Sequence, residues 1–314
     1  MIYRTLGRTG LKVSLLSYGS GGPSRLGQMT GKSFADQRAL IFRCLDLGVN
    51  LFDTAPVYSE SESILGRILS EVPRENYIIA TKWKPNTNEG GYKEISDLEE
   101  SLHRSLERLR VDCIDIFQMH AVLAPHYAED VKRYYPALLR FQSQGKIRFI
   151  GLTEDIFPDP AHETSLLALQ SDTQLWDTMM IKYGILNQYA AKQSLPLCEK
   201  YNVGVLNMST VREKLSNPQQ LRATIANWKQ RGLIAAGSIE DDDPLGWLIS
   251  PEVESIVAAG YKFGADHPAI STVITGASSI EHLEENARAI EGNPLPLEAK
   301  QRLVNLFGNL AEPD

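Results

Sequence analysis

Four side chains that can carry or stabilise a proton follow short apolar runs in the first half of the sequence. Asp53 ends one run, and Tyr58 lies shortly after it. Lys82 ends the next run and His120 the one after that. An acid, a phenol, an amine and an imidazole brought to one place would suit a reaction that transfers a proton.

The phenol of Tyr58 is the candidate proton donor. A tyrosine has a reference pKa near ~10 and donates poorly at neutral pH unless a cation stabilises its phenolate. Lys82 can be that cation, Asp53 would keep it charged, and His120 could orient a substrate carbonyl. We therefore predict Tyr58 as general acid for reduction and general base for oxidation. Because no side chain supplies a hydride, a nicotinamide or flavin must bind nearby.

Other chemistries find less support in the residue types. No serine or cysteine nucleophile is paired with a base, and no two carboxylates are placed for glycoside hydrolysis. Cys44, Cys113 and Cys198 are far apart in the chain, so neither a disulfide framework nor a metal site is predicted. One alternative stays open: Lys82 as the Schiff-base amine of a barrel lyase or isomerase.

Eight apolar runs alternate with amphipathic segments along the chain. They end at Gly19, Asp53, Lys82, His120, Thr153, Lys182, Met208 and Thr275. The clearest helix covers 96–110, with Ser96 as its N-cap, and another covers 36–47 before Gly48. Eight alternations favour a (β/α)8 TIM barrel over a doubly wound sheet. Active sites of such barrels lie at the carboxyl ends of the strands, where the four residues above would meet.

The ends and connections of this barrel are also predicted. Residues 2–14 form a β-hairpin turning at Gly10, and 296–310 form a C-terminal helix. Two segments, 121–130 and 209–250, are expected as insertions on the rim, the second containing the solvated acidic stretch 240–243. No linker divides the chain, so residues 1–314 are predicted to be one domain.

Composition limits the partners of this chain. A net charge of -7 without a Lys/Arg-rich run argues against nucleic-acid binding. No stretch approaches the ~18 apolar residues of a membrane span, and the N-terminus turns polar too early for a signal peptide. We predict a cytoplasmic protein that acts on a small molecule, and make no prediction of its oligomeric state.

The segments around these residues resemble the signature of the aldo-keto reductase family. They are Asn50–Tyr58, Ser61–Gly66, Ile79–Lys82, Ile116–His120, Ile150–Glu154, Ile274–Ser278 and the pair Glu285 and Asn286. The resemblance extends from Arg4 to the last helix. It implies a (β/α)8 barrel that binds NADPH or NADH in extended form, and a catalytic tetrad of Asp53, Tyr58, Lys82 and His120.

The same resemblance implies a set of cofactor contacts. Thr153 and Glu154 would meet the nicotinamide carboxamide, and Glu285 and Asn286 the adenine. Arg212 and Lys214 would clamp the pyrophosphate. The other predicted contacts are Met180, Met208, Ser209, Gly276, Ser278 and His282.

The sequence departs from the family pattern mainly at the cofactor. Met180 stands where many relatives have Gln, Met208 where many have an aromatic ring, and Ser59 where Gly is usual. Relatives that prefer NADPH usually carry Arg or Lys in the segment matching 278–282. Here Ser278, Ser279 and His282 can hydrogen-bond a ribose hydroxyl but compensate the charge of a 2′-phosphate only weakly, which favours NADH or the use of both cofactors.

Besides the Schiff-base lyase or isomerase, two nicotinamide-binding functions remain open from the sequence. The first is a reductase or dehydrogenase acting on a small carbonyl or sugar. The second is a nicotinamide-binding regulatory or sensor subunit with little turnover, which Met180 and Met208 would suit. The predicted pocket walls, 21–32, 83–92, 121–130 and 155–163, include Trp83, Asn86 and Asn88 and suit either an aromatic aldehyde or a sugar.

Overall fold

Eight parallel strands close into a barrel in the computed structural model, which describes residues 1–87, 89–155 and 157–312. Neighbouring strands around the barrel follow the order β10-β3-β4-β5-β6-β7-β8-β9, so the predicted (β/α)8 architecture is confirmed. The strands are β1 (Tyr3–Thr5), β2 (Lys12–Ser14), β3 (Leu16–Gly19), β4 (Leu51–Asp53), β5 (Ile78–Trp83), β6 (Ile114–Val122), β7 (Ile147–Glu154), β8 (Thr178–Lys182), β9 (Gly204–Met208) and β10 (Ile270–Thr275).

Helices surround the barrel and bury their apolar faces against it. They are α1 (Phe34–Asp46), α2 (Ser61–Leu69), α3 (Ile95–Leu109), α4 (Ala124–Ser143), α5 (Glu163–Ser171), α6 (Ser194–Lys200), α7 (Glu213–Ser216), α8 (Pro218–Gln230), α9 (Ile256–Asp266), α10 (Ile280–Glu291) and α11 (Leu297–Phe307). The predicted C-terminal helix is confirmed as α11, which buries Leu303 and Phe307. None of the helices in the described ranges is long and apolar enough to cross a membrane.

The N-terminal hairpin closes one end of the barrel. β1 and β2 pair antiparallel, and Gly10 between them has a φ of +68°, as the predicted turn requires. Leu6 and Val13 are fully buried and pack on Leu51 and Leu206 inside the barrel. This end is therefore filled with apolar side chains, which leaves the opposite mouth for chemistry.

Alternation along the strands decides which side chains reach that mouth. In β5, Ala80 belongs to the barrel interior, whereas Thr81 points outward and donates a hydrogen bond to Glu62 at 2.7 Å. Lys82 then points inward again. Strands β5, β6 and β7 continue one or two residues beyond their predicted ends, to Trp83, Val122 and Glu154.

Two local predictions are wrong. Glu94 caps α3 instead of Ser96, and its backbone N–H donates to Asp97 at 3.0 Å. Segment 121–130 is not an insertion, because β6 runs into it and α4 begins at Ala124. Segment 209–250, predicted as a rim insertion, contains α7 and α8, and its acidic residues 240–243 are exposed as predicted.

Candidate active site

A buried ion pair lies at the carboxyl ends of β4 and β5. The Lys82 Nζ donates to both carboxylate oxygens of Asp53 at 2.6 Å and to the Thr54 carbonyl oxygen at 2.8 Å. Both side chains are almost completely buried. Burial is the largest influence and opposes charge on the ammonium, but Asp53 and Tyr58 together outweigh it and raise the pKa of Lys82. Lys82 is thus held as a cation.

Tyr58 and His120 lie at the same mouth beside this ion pair. The Lys82 Nζ is 5.3 Å from the centre of the Tyr58 ring, and the Tyr58 and His120 rings meet edge to face with centres 6.0 Å apart. Gly21 packs on the phenol so closely that an added Cβ would lie 2.7 Å from Tyr58 Cε2. The structure therefore brings together all four residues that the sequence singled out.

The two rings have shifted proton affinities. Burial, followed by the charges of Lys82, Lys84 and Lys93, lowers the pKa of His120 to about 3. The imidazole is therefore neutral near pH 7 and has one N–H to donate. Burial raises the pKa of Tyr58, and the charge of Lys82 opposes this rise without cancelling it. Tyr58 is consequently protonated at neutral pH.

Gln118 belongs to this cluster, although the sequence reasoning missed it. It lies on β6 two residues before His120 and its Nε2 donates to Asp53 at 3.5 Å. Its Oε1 is buried and has no hydrogen-bond partner in the described part of the chain. Strand alternation was the available signal, since i and i-2 share the interior face. Gly151 on β7 provides the space for the Gln118 side chain, because a Cβ at position 151 would lie 2.8 Å from Gln118 Cγ.

The predicted nicotinamide contacts lie on β7 and β8, next to this cluster. Thr153 is buried and accepts a hydrogen bond from the Ala121 N–H at 2.8 Å. Glu154 is also buried, with its carboxylate oxygens 2.8 and 2.9 Å from His162 Nδ1. One of these oxygens accepts the Lys182 backbone N–H at 2.9 Å. Met180 lies in the barrel interior. Their contacts with a cofactor stay predictions.

The predicted pyrophosphate contacts gather after β9. Ser209, Arg212 and Lys214 line one small pocket with Thr210, and Met208 lies beside it in the barrel interior. Two polar atoms on this side, Asn207 Nδ2 and Thr210 Oγ1, are buried without a hydrogen-bond partner among the described residues. Cationic side chains and free buried donors fit a phosphate-containing dinucleotide.

The predicted adenosine contacts lie at the start of α10 and just before it. Ser279 is the N-cap of α10, and its side chain accepts the His282 N–H at 3.2 Å. Ser278 is half-buried, and His282 and Glu285 are exposed. Asn286 is buried and donates to Thr275 Oγ1 at 3.0 Å. Gly276 lies between β10 and this helix. The set is contiguous, and its cofactor role stays a prediction.

The predicted pocket wall 83–92 folds onto α4. Trp83 packs edge to face on Tyr134, with ring centres 4.8 Å apart, so its ring points away from the barrel interior. Asn86 Nδ2 donates to the buried Asp130 at 3.3 Å. Asn88, another predicted wall residue, lies outside the described residues.

Comparison with known proteins agrees with this architecture. Residues 16–306 match the Aldo/keto reductase family. The chain belongs to the aldo/keto reductase family. Its members are oxidoreductases that use nicotinamide cofactors. The resemblance inferred from the motifs is thus confirmed.

Individual relatives cover nearly the whole chain. An L-galactose dehydrogenase of Arabidopsis thaliana is 30% identical over 91% of this chain and 87% of its own length. An NADH-specific methylglyoxal reductase of Escherichia coli is 28% identical, covering 92% and 93%. The holo form of an aldo-keto reductase from Bacillus halodurans superimposes with a TM-score of 0.72 at 23% identity, covering 98% of this chain and 96% of its own. This last likeness concerns the fold.

Proposed function

We propose that this protein reduces an aldehyde or ketone with NADH or NADPH, or oxidises the corresponding alcohol or sugar, with Tyr58 as the general acid and base. The observation that carries the proposal is the Lys82–Asp53 ion pair beside Tyr58, with His120 edge-on to the phenol at the same mouth. The bound cofactor would supply or accept the hydride.

Each side chain of the tetrad has a separate task. Tyr58 gives its proton to the carbonyl oxygen in reduction and takes one from the alcohol in oxidation. The ammonium of Lys82 stabilises the phenolate left behind, and Asp53 keeps that ammonium charged and in place. The neutral His120 donates a hydrogen bond that orients the carbonyl.

The Schiff-base alternative for Lys82 is disfavoured by the same geometry. A nucleophilic amine must lose its proton, whereas the contacts with Asp53 raise the pKa of Lys82. All three ammonium donors already have acceptors, two on Asp53 and one on Thr54. Lys82 is therefore better suited to electrostatic stabilisation than to covalent catalysis.

The class of substrate and cofactor is part of the proposal. The relatives include an L-galactose dehydrogenase and a methylglyoxal reductase, which favours a small, oxygen-rich carbonyl compound. The segment 278–282 contains neither Arg nor Lys, which favours NADH or dual use. We also propose that residues 1–314 form one domain, since the hairpin and α11 pack on the barrel.

The substitution Tyr58→Phe tests the proposal. It removes the transferable proton and keeps the ring, so kcat for aldehyde reduction should fall by about 10²–10⁴-fold while cofactor affinity stays within about twofold. Turnover is followed by the loss of reduced-nicotinamide absorbance, with NADH and NADPH in parallel, and affinity by fluorescence titration. Tyr3→Phe is the matched control, because its hydroxyl donates to the Gly48 carbonyl oxygen, away from the tetrad and from the predicted pocket walls.

The outcomes separate the two functions that the sequence left open. Unchanged turnover in Tyr58→Phe would contradict the role of Tyr58. Tight cofactor binding without turnover of any aromatic, aliphatic or sugar aldehyde by the unaltered protein would instead favour the regulatory-subunit alternative.

A further inference from the structure

Two lysines lie close together in the connection between β5 and α3. Lys84 directly follows the last residue of β5, two positions after Lys82. Lys93 folds back across the connection, and its Nζ donates to the Lys84 carbonyl oxygen at 2.8 Å. The same ammonium is 5.5 Å from the centre of the Trp83 ring. Both lysines are half-buried.

The two ammonium groups lack a paired carboxylate among the described residues. Burial, followed by the charge of Lys84, lowers the pKa of Lys93, and the charge of Asp97 opposes this lowering without cancelling it. Within 1–87, 89–155 and 157–312, no carboxylate forms an ion pair with Lys84 or Lys93, although many other cations are paired, such as Arg38 with Glu71. Placing like charges together without an anion costs free energy, and such groupings are common where an anion binds.

The charges act on the reaction centre itself. Lys84 and Lys93 are, after Lys82, the cations that lower the pKa of His120. Lys84 follows the end of β5 at the mouth that holds Lys82, and the Lys93 Nζ is held against the Lys84 carbonyl oxygen. The two lysines therefore lie at the rim of the mouth where the proposed mechanism puts the substrate carbonyl. An anion held by them would be part of the molecule that carries that carbonyl.

The cofactor has its own cations on the other side of the mouth. Arg212 and Lys214 follow β9, which stands four strands away from β5 in the eight-stranded barrel. Strands so separated lie opposite each other in a closed barrel. Lys84 and Lys93 are therefore not needed for the proposed pyrophosphate contact.

We propose that Lys84 and Lys93 form a subsite for the carboxylate or phosphate of an anionic carbonyl substrate, an inference that rests on the proposed function and narrows its substrate class. A chain of net charge -7 would otherwise repel such a substrate. A local pair of cations at the mouth attracts and orients it.

Two matched substrate pairs test the subsite by turnover. One pair is 4-carboxybenzaldehyde and its methyl ester, and the other is glyceraldehyde 3-phosphate and glyceraldehyde. We expect the Lys84→Gln/Lys93→Gln double variant to lower the charged-to-neutral ratio of kcat/KM by about tenfold or more in at least one pair. The pair that responds identifies a carboxylate or a phosphate as the recognised group. Lys12→Gln, which removes one charge at the hairpin, should leave both ratios unchanged.

A binding measurement tests the subsite without turnover. Calorimetric titration gives Kd for the unaltered protein and for the double variant. The ligands are 4-(hydroxymethyl)benzoate and inorganic phosphate, and 4-(hydroxymethyl)benzamide is the neutral control. We expect Kd for at least one anion to rise about tenfold in the double variant. If neither the ratios nor the anion affinities depend on the two lysines, the inference is wrong. Suppose that the unaltered protein turns over none of the four aldehydes, yet its anion affinity depends on the two lysines. That result would contradict the proposed reductase activity but support the subsite.

Discussion

The protonation state of His120 shows how the site sets the chemistry of a single residue. A histidine ordinarily titrates near pH ~6.5, in the middle of the range in which enzymes work. Burial and three lysine charges lower the pKa of His120 to about 3, so the ring stays neutral and competes little with Tyr58 as a proton donor. The division of labour between the two rings thus has an electrostatic origin.

This neutrality predicts the pH dependence of reduction. The ring of His120 gains a proton only near pH 3, and Tyr58 loses its proton only above the ordinary tyrosine range because burial raises its pKa. We expect kcat/KM for a neutral aldehyde to be flat from about pH 5 to 8. Steady-state rates across this range check it. An inflection near pH ~6.5 that disappears in His120→Asn would show that the imidazole titrates in the working range.

At the scale of elements, α4 holds the lysine-bearing connection 84–93 in place. The Tyr134 hydroxyl donates to the Lys93 carbonyl oxygen at 2.6 Å and lies 3.3 Å from the Pro85 carbonyl oxygen. Asp130, one turn earlier, accepts from Asn86, and its other oxygen is buried with no partner among the residues described. The helix therefore positions the connection at the expense of a poorly satisfied carboxylate.

Asp130 should make folding stability depend on pH. Burial raises its pKa to about 6 from 3.8, so the unfolded chain loses this proton before the folded one does. The loss of folding stability caused by the buried Asp130 carboxylate is absent below pH ~4, grows as pH rises, and is complete above pH ~6. Asp130→Asn should therefore raise the free energy of unfolding at pH 7 by about 1–2 kcal/mol, allowing for screening by nearby solvent.

Urea unfolding of both proteins at pH 4 and 7 checks this. Glu129→Gln is the matched control on the same helix, because Glu129 forms a surface ion pair with Arg133. We expect Glu129→Gln to change the free energy of unfolding by less than about 1 kcal/mol at both pH values. It should not show the increase from pH 4 to pH 7 that is expected of Asp130→Asn. Equal effects of Asp130→Asn at pH 4 and pH 7 would argue against a buried charge at this position.

For the molecule as a whole, the strand-terminal residues could be predicted from sequence because barrel geometry fixes where strand ends meet. Asp53, Lys82 and His120 each end or nearly end an apolar run, and the topology brings neighbouring runs together. Contacts that depend on the direction of a side chain could not be predicted from the sequence. The pairing of Glu154 with His162 joins β7 to the following loop, and no periodicity indicates it. Predicted element boundaries also shifted, as at α1, which was predicted over 36–47 and covers Phe34–Asp46.

The closed end of the barrel gives a prediction about global stability. Gly7 in the hairpin connection has a φ of +46°, and an added Cβ would lie 2.2 Å from the Gly204 backbone nitrogen. Gly10 also has a left-handed φ, +68°, but nothing lies within 4 Å of its Cβ position. The two glycines therefore share the same conformational demand and differ in the space around them.

Alanine at these two positions separates conformation from close packing. Gly10→Ala should lower the free energy of unfolding by about 1–2 kcal/mol, because a residue with a side chain is disfavoured in the left-handed conformation. Gly7→Ala should cost at least about 2 kcal/mol more, because the hairpin must move away from β9 and loosen the burial of Leu6. Urea midpoints and slopes measure both. Equal losses would mean that the hairpin shifts freely and that the apolar end of the barrel does not depend on its fit.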